Sequence, residues 1–162
     1  MSENIFIDQN LSDKEKYTNL LIQIESLLDQ NDANVSNLSN FTAALAQSIK
    51  KISWVGFYIL NGDNLFLGPF QGKVACTNIK LGHGVCGKSA LEKRTIVVPD
   101  VNLFPGHIAC DFESKSEIVV PLIIEDRLYG VLDVDSNSLN AFDQTDKEYL
   151  EKLCDILLKK LF

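Results

Sequence analysis

The chain has 162 residues, of which 46% are hydrophobic and 23% are charged, a composition typical of an ordinary globular protein. Its formal net charge is -7 at pH 7 without any large cluster of lysines and arginines, which argues against nucleic acid or an anionic membrane as a partner. No apolar run is long enough to span a bilayer, and the first ten residues lack the apolar segment of a secretory signal. We therefore expect a cytoplasmic protein, with one domain over residues 1–162 and with cysteines that are reduced at rest.

Two helices are predicted within residues 1–50. Ser12 and Glu15 have the spacing of a capping box, and the apolar residues that follow recur at helical spacing. The segment NVSNLSNFTAALAQSIKK predicts a second helix, because its two final lysines suit the negative end of a helix dipole. Residues 51–162 are expected to form the sheet, the site loops and a C-terminal helix.

Six short segments after these helices have the apolar or alternating pattern of strands. In chain order they are SWVGFYIL, LFLGPF, GKVACTNIKL, TIVVPD, EIVVPLIIE and LYGVLDVDS. Two hairpins are predicted. The turn NGDN, in which Asn61–Gly62 is a strong turn signal, joins the first pair of strands, and Asp126–Arg127 joins the last pair. A short helix is expected after the glycine-rich stretch GHGVCG, and a long loop is expected over residues 101–116.

The order of these elements predicts an α+β fold. We expect a central antiparallel sheet of about six strands, with helices packed mainly on one face and a pocket roofed by loops on the other. The last helix is predicted to begin near Asp143, since aspartates favour a helix N-terminus. Long loops in compact domains tend to be functional, so the loop-covered face is where a site is expected.

Asp133 and Asp135 lie in the otherwise apolar segment YGVLDVDS. Side chains alternate along a strand, so both carboxylates point to one face, while Leu132 and Val134 point to the face that suits the helices. At a separation of about 6.5 Å and an effective dielectric of about 20, two such charges repel each other by about 2–3 kcal/mol. Under a roof of loops, this repulsion predicts a proton on one carboxyl group or a bound cation. The alternative is a pair of solvated aspartates at a strand end.

The four cysteines differ in their surroundings. Cys154 lies on the apolar side of the last predicted helix and is expected to be a core residue. His83–Cys86 and His107–Cys110 are both H-x-x-C pairs, and together they could supply the ligands of a tetrahedral zinc site. Against zinc, the chain is large enough to fold around its own core, and a zinc site leaves Cys76 without a role.

Thiol redox chemistry is the second interpretation of the cysteines. Cys110 lies in a polar loop with the access that a reactive thiolate requires, and either Cys76 or Cys86 could resolve an oxidised intermediate as a disulfide. Inert thiols in a ligand-sensing domain are the third interpretation.

Trp54 and Tyr58 share one strand face, where they form either a packed core or the aromatic wall of a small-ligand pocket. Residue patterns by themselves leave these alternatives open.

Six segments together resemble one enzyme family. They are WVGFY, LGPFQGKVAC, GHGVCGKSA, VPDVNLFPGHIACD, SKSEIVVPL and GVLDVDS. The chain resembles the free methionine-(R)-sulfoxide reductases, a stand-alone enzyme branch of the GAF-domain superfamily, over about two-thirds of its length from Trp54 onward. The cysteine triplet is specific, since most GAF domains are ligand sensors without it. Asn102 departs from the family pattern, in which histidine is common.

The resemblance implies thiol roles for three cysteines: Cys110 as the catalytic residue, Cys76 as its resolving partner and Cys86 as an auxiliary thiol that can also form a disulfide. It also implies a substrate pocket with acidic and aromatic walls. These walls are formed by Glu117, Asp133, Asp135, Trp54 and Tyr58.

The reaction that the resemblance implies is the reduction of free methionine (R)-sulfoxide to methionine. A sulfenic acid forms on the catalytic cysteine, a disulfide follows, and thioredoxin reduces it. The family also implies a homodimer, which the amphipathic terminal helices favour, and no metal or other cofactor. The alternative is a GAF-type sensory module that binds a small ligand without turnover.

Overall fold

The structure, a computed structural model, describes residues 4–108 and 110–162. The strands are β1 (Trp54–Asn61), β2 (Asn64–Gln71), β3 (Asn78–Lys80), β4 (Ile96–Val98), β5 (Ser116–Ile124) and β6 (Arg127–Ser136). The helices are α1 (Asp13–Leu27), α2 (Asn34–Ser48), α3 (Gly84–Glu92) and α4 (Gln144–Leu161), and a short 3-10 helix spans Val101–Leu103. The strands form one antiparallel sheet in the order β3-β2-β1-β6-β5-β4, which confirms the predicted α+β fold.

The two faces of β6 enter two different cores, as its alternating pattern predicts. Leu132 and Val134 are fully buried in the cluster that packs the sheet against α1, α2 and α4. Val131 is fully buried in a second cluster on the opposite face. Asp133 lies on that opposite face and is also buried, so the interpretation as solvated strand-end aspartates is wrong for Asp133.

The helix-side core is built from apolar stripes at helical spacing. In α1 the buried residues are Tyr17, Leu20 and Ile24, which lie three and four positions apart. Cys154 of α4 is 2% exposed within this core, which confirms its prediction as a packing residue. A capping box begins α1 at Ser12, as predicted. Helix α4 has Asp143 as its N-cap, in agreement with the predicted start, and there Asp143 and Asp146 form a second capping box.

The opposite face of the sheet is covered by α3 and by loops. Val85 and Ala90 of α3 pack in the second cluster with Tyr58 and Val119 of the sheet. Three of the four helices in the described ranges therefore lie on one face and α3 lies on the other, in agreement with the prediction. None of these helices is both long and apolar enough to cross a bilayer.

The predicted strand GKVACTNIKL is wrong over its first half. It forms a strand only at Asn78–Lys80, and residues 72–77 are a loop. Two of the loop's carbonyl groups are satisfied by side chains of β1 rather than by a neighbouring strand: Trp54 Nε1 donates to the Lys73 carbonyl (3.0 Å), and the Tyr58 hydroxyl donates to the Cys76 carbonyl (3.1 Å).

Two other predicted boundaries also differ. Helix α2 ends at Ser48 rather than at the lysine pair, because Ile49 leaves the helical conformation (φ -114°, ψ 94°). The hairpin connection between β5 and β6 is Glu125–Asp126, one residue earlier than predicted. Both turn residues have positive φ, 46° and 64°, which is the geometry of a two-residue turn that matches the right-handed twist of its strands.

Lys51 joins three separate parts of the chain instead of capping α2. Its Nζ donates to Asp13 of α1 (2.7 Å) and to Asp146 of α4 (2.8 Å). Asp146 also accepts the Tyr17 hydroxyl (2.8 Å) and the backbone N–H of Asp143 (2.8 Å). Burial opposes the charge on Lys51, but the two carboxylates outweigh it and raise the pKa of Lys51.

We expect Asp146→Ala to lower the free energy of unfolding by about 3 kcal/mol, because it leaves the Tyr17 hydroxyl and one side of Lys51 without their buried partner. Urea denaturation at neutral pH measures the change. Glu148→Ala on the same helix removes an exposed ion pair with Lys152 and should leave the midpoint unchanged. Equal midpoint shifts in the two variants would contradict the assigned role of Asp146.

Candidate active site

A disulfide joins the two loops that cover the sheet. It links Cys76, in the loop between β2 and β3, with Cys110, in the loop before β5, and their Cα atoms are 5.5 Å apart. Both cysteines are half-buried, and Cys110 lines a pocket on the loop-covered face. Of the two cysteines that the sequence allowed as a partner for Cys110, the structure pairs Cys76.

The floor of the pocket carries three carboxyl groups from neighbouring strands. Glu117 of β5 lies directly opposite Asp135 of β6, and Asp133 lies two residues from Asp135 on the same face. Directly opposed residues of antiparallel strands have Cβ atoms about 5 Å apart, so the three acids form one group. The structure thus brings together the predicted acidic residues Glu117, Asp133 and Asp135.

Burial shifts the titration of all three acids toward the protonated form. It raises the pKa of Glu117 well above its usual range, and the charges of Asp133 and Asp135 raise it further. Burial and the charge of Asp135 likewise raise the pKa of Asp133. Burial raises the pKa of Asp135 to about 6, although a hydrogen bond from Ser114 acts in the opposite direction. Burial therefore favours a proton held within this group, which is one of the two compensations that the strand pattern predicted.

No lysine or arginine of the described residues forms an ion pair with these three acids. The basic side chain that approaches them is His107, whose Nδ1 lies 3.8 Å from Glu117 Oε2. Burial lowers the pKa of His107, so its imidazole is neutral at pH 7. Within the part of the chain that the structure describes, the pocket is therefore acidic without a compensating side-chain cation.

Cys86 belongs to the pocket wall as a free thiol. It lies in the first turn of α3, and its Sγ is 3.9 Å from Glu117 Oε1. Burial raises the pKa of Cys86, and the nearby charges of Asp133 and Glu117 raise it further. Its thiolate is consequently scarce at neutral pH.

Trp54 and Tyr58 form an aromatic wall beside the acids, and both line the pocket. Their rings stack with centroids 6.1 Å apart, and Trp54 lies across Gly56, where a Cβ atom would come within 2.4 Å of the indole. Because Trp54 and Tyr58 also donate hydrogen bonds to the Cys76 loop, they hold this loop as well as forming the wall. No local pattern in the sequence indicates this second role.

The sequence did not indicate further contacts that hold the Cys76 and Cys110 loops in place. The Ser114 hydroxyl donates to Asp135 Oδ1 (2.6 Å) and so ties the Cys110 loop to β6. Lys73 of the Cys76 loop pairs with Glu113 and approaches Asp111 (3.6 Å) in the Cys110 loop. These partners are far apart in the chain, so no local spacing indicated them.

The Cys2His2 zinc alternative is not formed in this structure. Cys110 is held in the disulfide, and His83 is exposed at the start of α3. The one group of three or more potential metal ligands found among residues 4–108 and 110–162 consists of Cys86, Glu117 and Asp133, and it contains neither histidine.

The sequence profile of the GAF domain matches residues 35–158. The chain belongs to the GAF domain family. A Saccharomyces cerevisiae protein named free methionine-R-sulfoxide reductase is 45% identical over 166 residues, which cover 98% of this chain and 92% of that protein. The Escherichia coli protein of the same name is 41% identical, with coverage of 91% and 89%.

A solved structure is similar over almost the whole chain. It is the free methionine-R-sulfoxide reductase of Neisseria meningitidis in complex with its substrate, with a TM-score of 0.92 and 43% identity, and the match covers 98% of this chain and 95% of that one. The predicted resemblance to this branch of the GAF domain family is confirmed.

In the disulfide-bonded protein, we expect the contribution of Asp135 to stability to fall as the pH rises from about 4 to about 6, and Asp135→Asn to remove this contribution. The pKa of Asp135 is about 6 in the folded chain against a usual 3.8, so folding favours the protonated carboxyl. The stabilisation by Asp135 is fully present below the pKa that this carboxyl has in the unfolded chain. It is lost as the pH rises through the pKa that the carboxyl has in the folded chain. Urea denaturation at a series of pH values measures the slope.

The matched control for this experiment is Asp126→Asn, in the exposed turn between β5 and β6. It should keep the slope of the unsubstituted protein. An identical slope in Asp135→Asn would show that this carboxyl titrates as an exposed group.

Proposed function

We propose that this protein reduces free methionine (R)-sulfoxide to methionine by cysteine chemistry. The observation that carries the proposal is the position of the Cys76–Cys110 disulfide over a buried pocket with three acids and an aromatic wall. The names of the similar proteins from Saccharomyces cerevisiae and Escherichia coli support the same substrate. A sensory module would need the pocket but would have no use for a redox-active cysteine pair beside it.

The acidic floor suits a substrate with a free ammonium group. Asp135 has a pKa of about 6, so it is largely ionised at pH 7 and is our choice for the ammonium partner. Glu117 and Asp133 retain protons more strongly because they are more deeply buried. Their shared proton is available to the sulfoxide oxygen, which becomes a better leaving group when it is protonated. Methionine sulfoxide inside a polypeptide has no free ammonium group and therefore cannot make the contact with Asp135.

The reaction begins from the reduced protein, in which Cys76 and Cys110 are thiols. The Cys110 thiolate attacks the sulfoxide sulfur while a carboxyl group protonates the oxygen. The oxygen is transferred to Cys110 as a sulfenic acid, the substrate sulfur gains two electrons, and methionine leaves. Cys76 then attacks the sulfenic sulfur, water leaves, and the disulfide forms. One methionine sulfoxide and two thiols thus give methionine, one disulfide and one water.

Cys76 is our choice for the resolving thiol because it already forms the disulfide with Cys110. Cys86 remains a buried thiol with a raised pKa, and we assign it to the pocket wall as an auxiliary group. Trp54 and Tyr58 are proposed to contact the apolar part of the substrate.

An external dithiol must reopen the disulfide after each turnover, and we propose thioredoxin for this step. Half-burial of both cysteines leaves a path for an attacking thiolate. Cytoplasmic location is proposed from the need for such a reductant. The homodimer stays a prediction, and the apolar stripes of α1 and α4 that suggested it are used within the chain, against the sheet.

Cys110→Ser should abolish turnover of free methionine (R)-sulfoxide, because it removes the proposed nucleophile. Cys76→Ser should allow one stoichiometric turnover and then stall in the thioredoxin-driven cycle. Methionine formation by chromatography and a thiol count before and after substrate addition measure both effects.

Cys154→Ser is the matched control, since Cys154 is a buried thiol in the helix-side core. Its turnover should be unchanged. Wild-type cycling in Cys76→Ser would move the resolving role to Cys86, and wild-type turnover in Cys110→Ser would remove the proposed mechanism. Tight binding of a small ligand with no loss of thiols on addition of the sulfoxide would instead support the sensory module.

Asp135→Asn should lower kcat/KM for free methionine (R)-sulfoxide by about 10- to 100-fold, because a hydrogen bond to a charged group contributes about 1.5–3 kcal/mol. With N-acetylmethionine (R)-sulfoxide, which has no ammonium, the same substitution should change kcat/KM far less. Steady-state kinetics with both compounds measures the difference. An equal loss with both would show that Asp135 does not bind the ammonium.

A further inference from the structure

Three buried side chains in the pocket place ligand atoms close together. The Cys86 thiol and the carboxyl groups of Glu117 and Asp133 each offer one ligand atom, and these atoms all lie within 4.8 Å of one another. The side chains come from α3, β5 and β6, and the residues are 3%, 5% and 7% exposed. Cys86 Sγ is 3.9 Å from Glu117 Oε1.

Asp133 adds an independent indication of a ligand. Its Oδ1 is buried and has no hydrogen-bond partner among the described residues, while the residue lines the pocket. A buried polar oxygen without a partner is costly, and most such atoms in folded proteins are satisfied. A donor or a cation that enters the pocket would satisfy this oxygen.

The charge of the pocket favours a cation over a neutral donor. The three acids form no ion pair with a lysine or arginine in the described ranges. A cation held among them would remove the repulsion that otherwise keeps protons on the carboxyl groups.

We propose that Cys86, Glu117 and Asp133 bind a divalent cation of the zinc class, with the fourth ligand position open to the pocket. One thiolate and two carboxylates match Zn²⁺ or Co²⁺, whereas Mg²⁺ and Ca²⁺ take oxygen ligands. Zn–S and Zn–O bonds of about 2.3 and 2.1 Å place the ligand atoms of a tetrahedral site about 3.5 Å apart. Side-chain rotations that move the ligand atoms by about 1 Å would therefore form the site. The metal displaces the thiol and carboxyl protons, which pass to solvent.

The consequence is competition between the metal and a pocket ligand. Glu117 and Asp133 are also the acids that we assign to the sulfoxide oxygen, so the cation and methionine sulfoxide exclude each other. This competition rests on the proposed function, but metal binding itself does not. A zinc-class ion would act as a reversible inhibitor that needs no change in the Cys76–Cys110 disulfide.

The disulfide-bonded protein allows a clean test, because neither Cys76 nor Cys110 can then bind the metal. Titration with Co²⁺ should give one bound ion per chain and a thiolate-to-cobalt charge-transfer absorption band, accompanied by proton release. Zn²⁺ should displace the cobalt and Mg²⁺ should not. Absence of the band in the folded protein would overturn the proposal.

Two variants identify the ligands. Cys86→Ser should lose the charge-transfer band, and Cys154→Ser, which alters the other free thiol, should keep it. Asp133→Asn keeps the thiol and should weaken Co²⁺ binding by at least about tenfold, so it tests the site even if Cys86→Ser does not fold. A band that persists in Cys86→Ser, or unchanged affinity in Asp133→Asn, would overturn the assignment.

Addition of free methionine sulfoxide to the cobalt-loaded protein tests the competition separately. Loss of the band with rising sulfoxide supports overlap, and an unchanged band at saturating sulfoxide overturns it. If the metal binds as described but the reduced protein does not turn over the sulfoxide, the proposed function fails and the metal site stands. If turnover is normal and cobalt gives no thiolate band, the metal site fails alone.

Discussion

Three carboxyl groups lie on one face of the sheet, two of them buried and that of Asp135 half-buried, and no lysine or arginine of the described residues pairs with them. They constrain everything else in the pocket. In water these charges would be screened, but under α3 and the two cysteine loops they are not. Protons, a substrate ammonium or a metal cation are the available compensations. In the protein alone the compensation is by protons, as the raised pKa values of Glu117 and Asp133 indicate.

The side chains that form the pocket also hold the loops above it. Trp54 and Tyr58 of β1 bond to carbonyl groups of the Cys76 loop, and Asp135 of β6 accepts from Ser114 in the Cys110 loop. The distance between the two cysteines therefore depends on the same strands that line the pocket. Such an arrangement places the thiol pair beside any molecule that the acids and the aromatic wall hold.

The two faces of the sheet divide the work of the fold. On the helix side, α1, α2 and α4 bury a continuous apolar cluster in which even a cysteine, Cys154, is only a packing residue. The other face has a smaller apolar cluster and carries the acids of the pocket and the Cys76–Cys110 disulfide. Burial of Asp133 is unfavourable by itself. The strand that carries it is stabilised by Leu132 and Val134, which are fully buried on its other face.

Local patterns in the sequence were sufficient to predict the helices and strands and the face of the sheet toward which side chains point. The alternation in β6 predicted which side of the sheet Asp133 and Val134 occupy, because a strand reverses its side chains at every residue. The choice of Cys76 over Cys86 as partner for Cys110 was decided by tertiary structure, as were the loop at residues 72–77 and the contact of Ser114 with Asp135. Each depends on groups far apart in the chain, 34 residues for the disulfide, and such distances follow from how the sheet, α3 and the loops pack rather than from any local spacing.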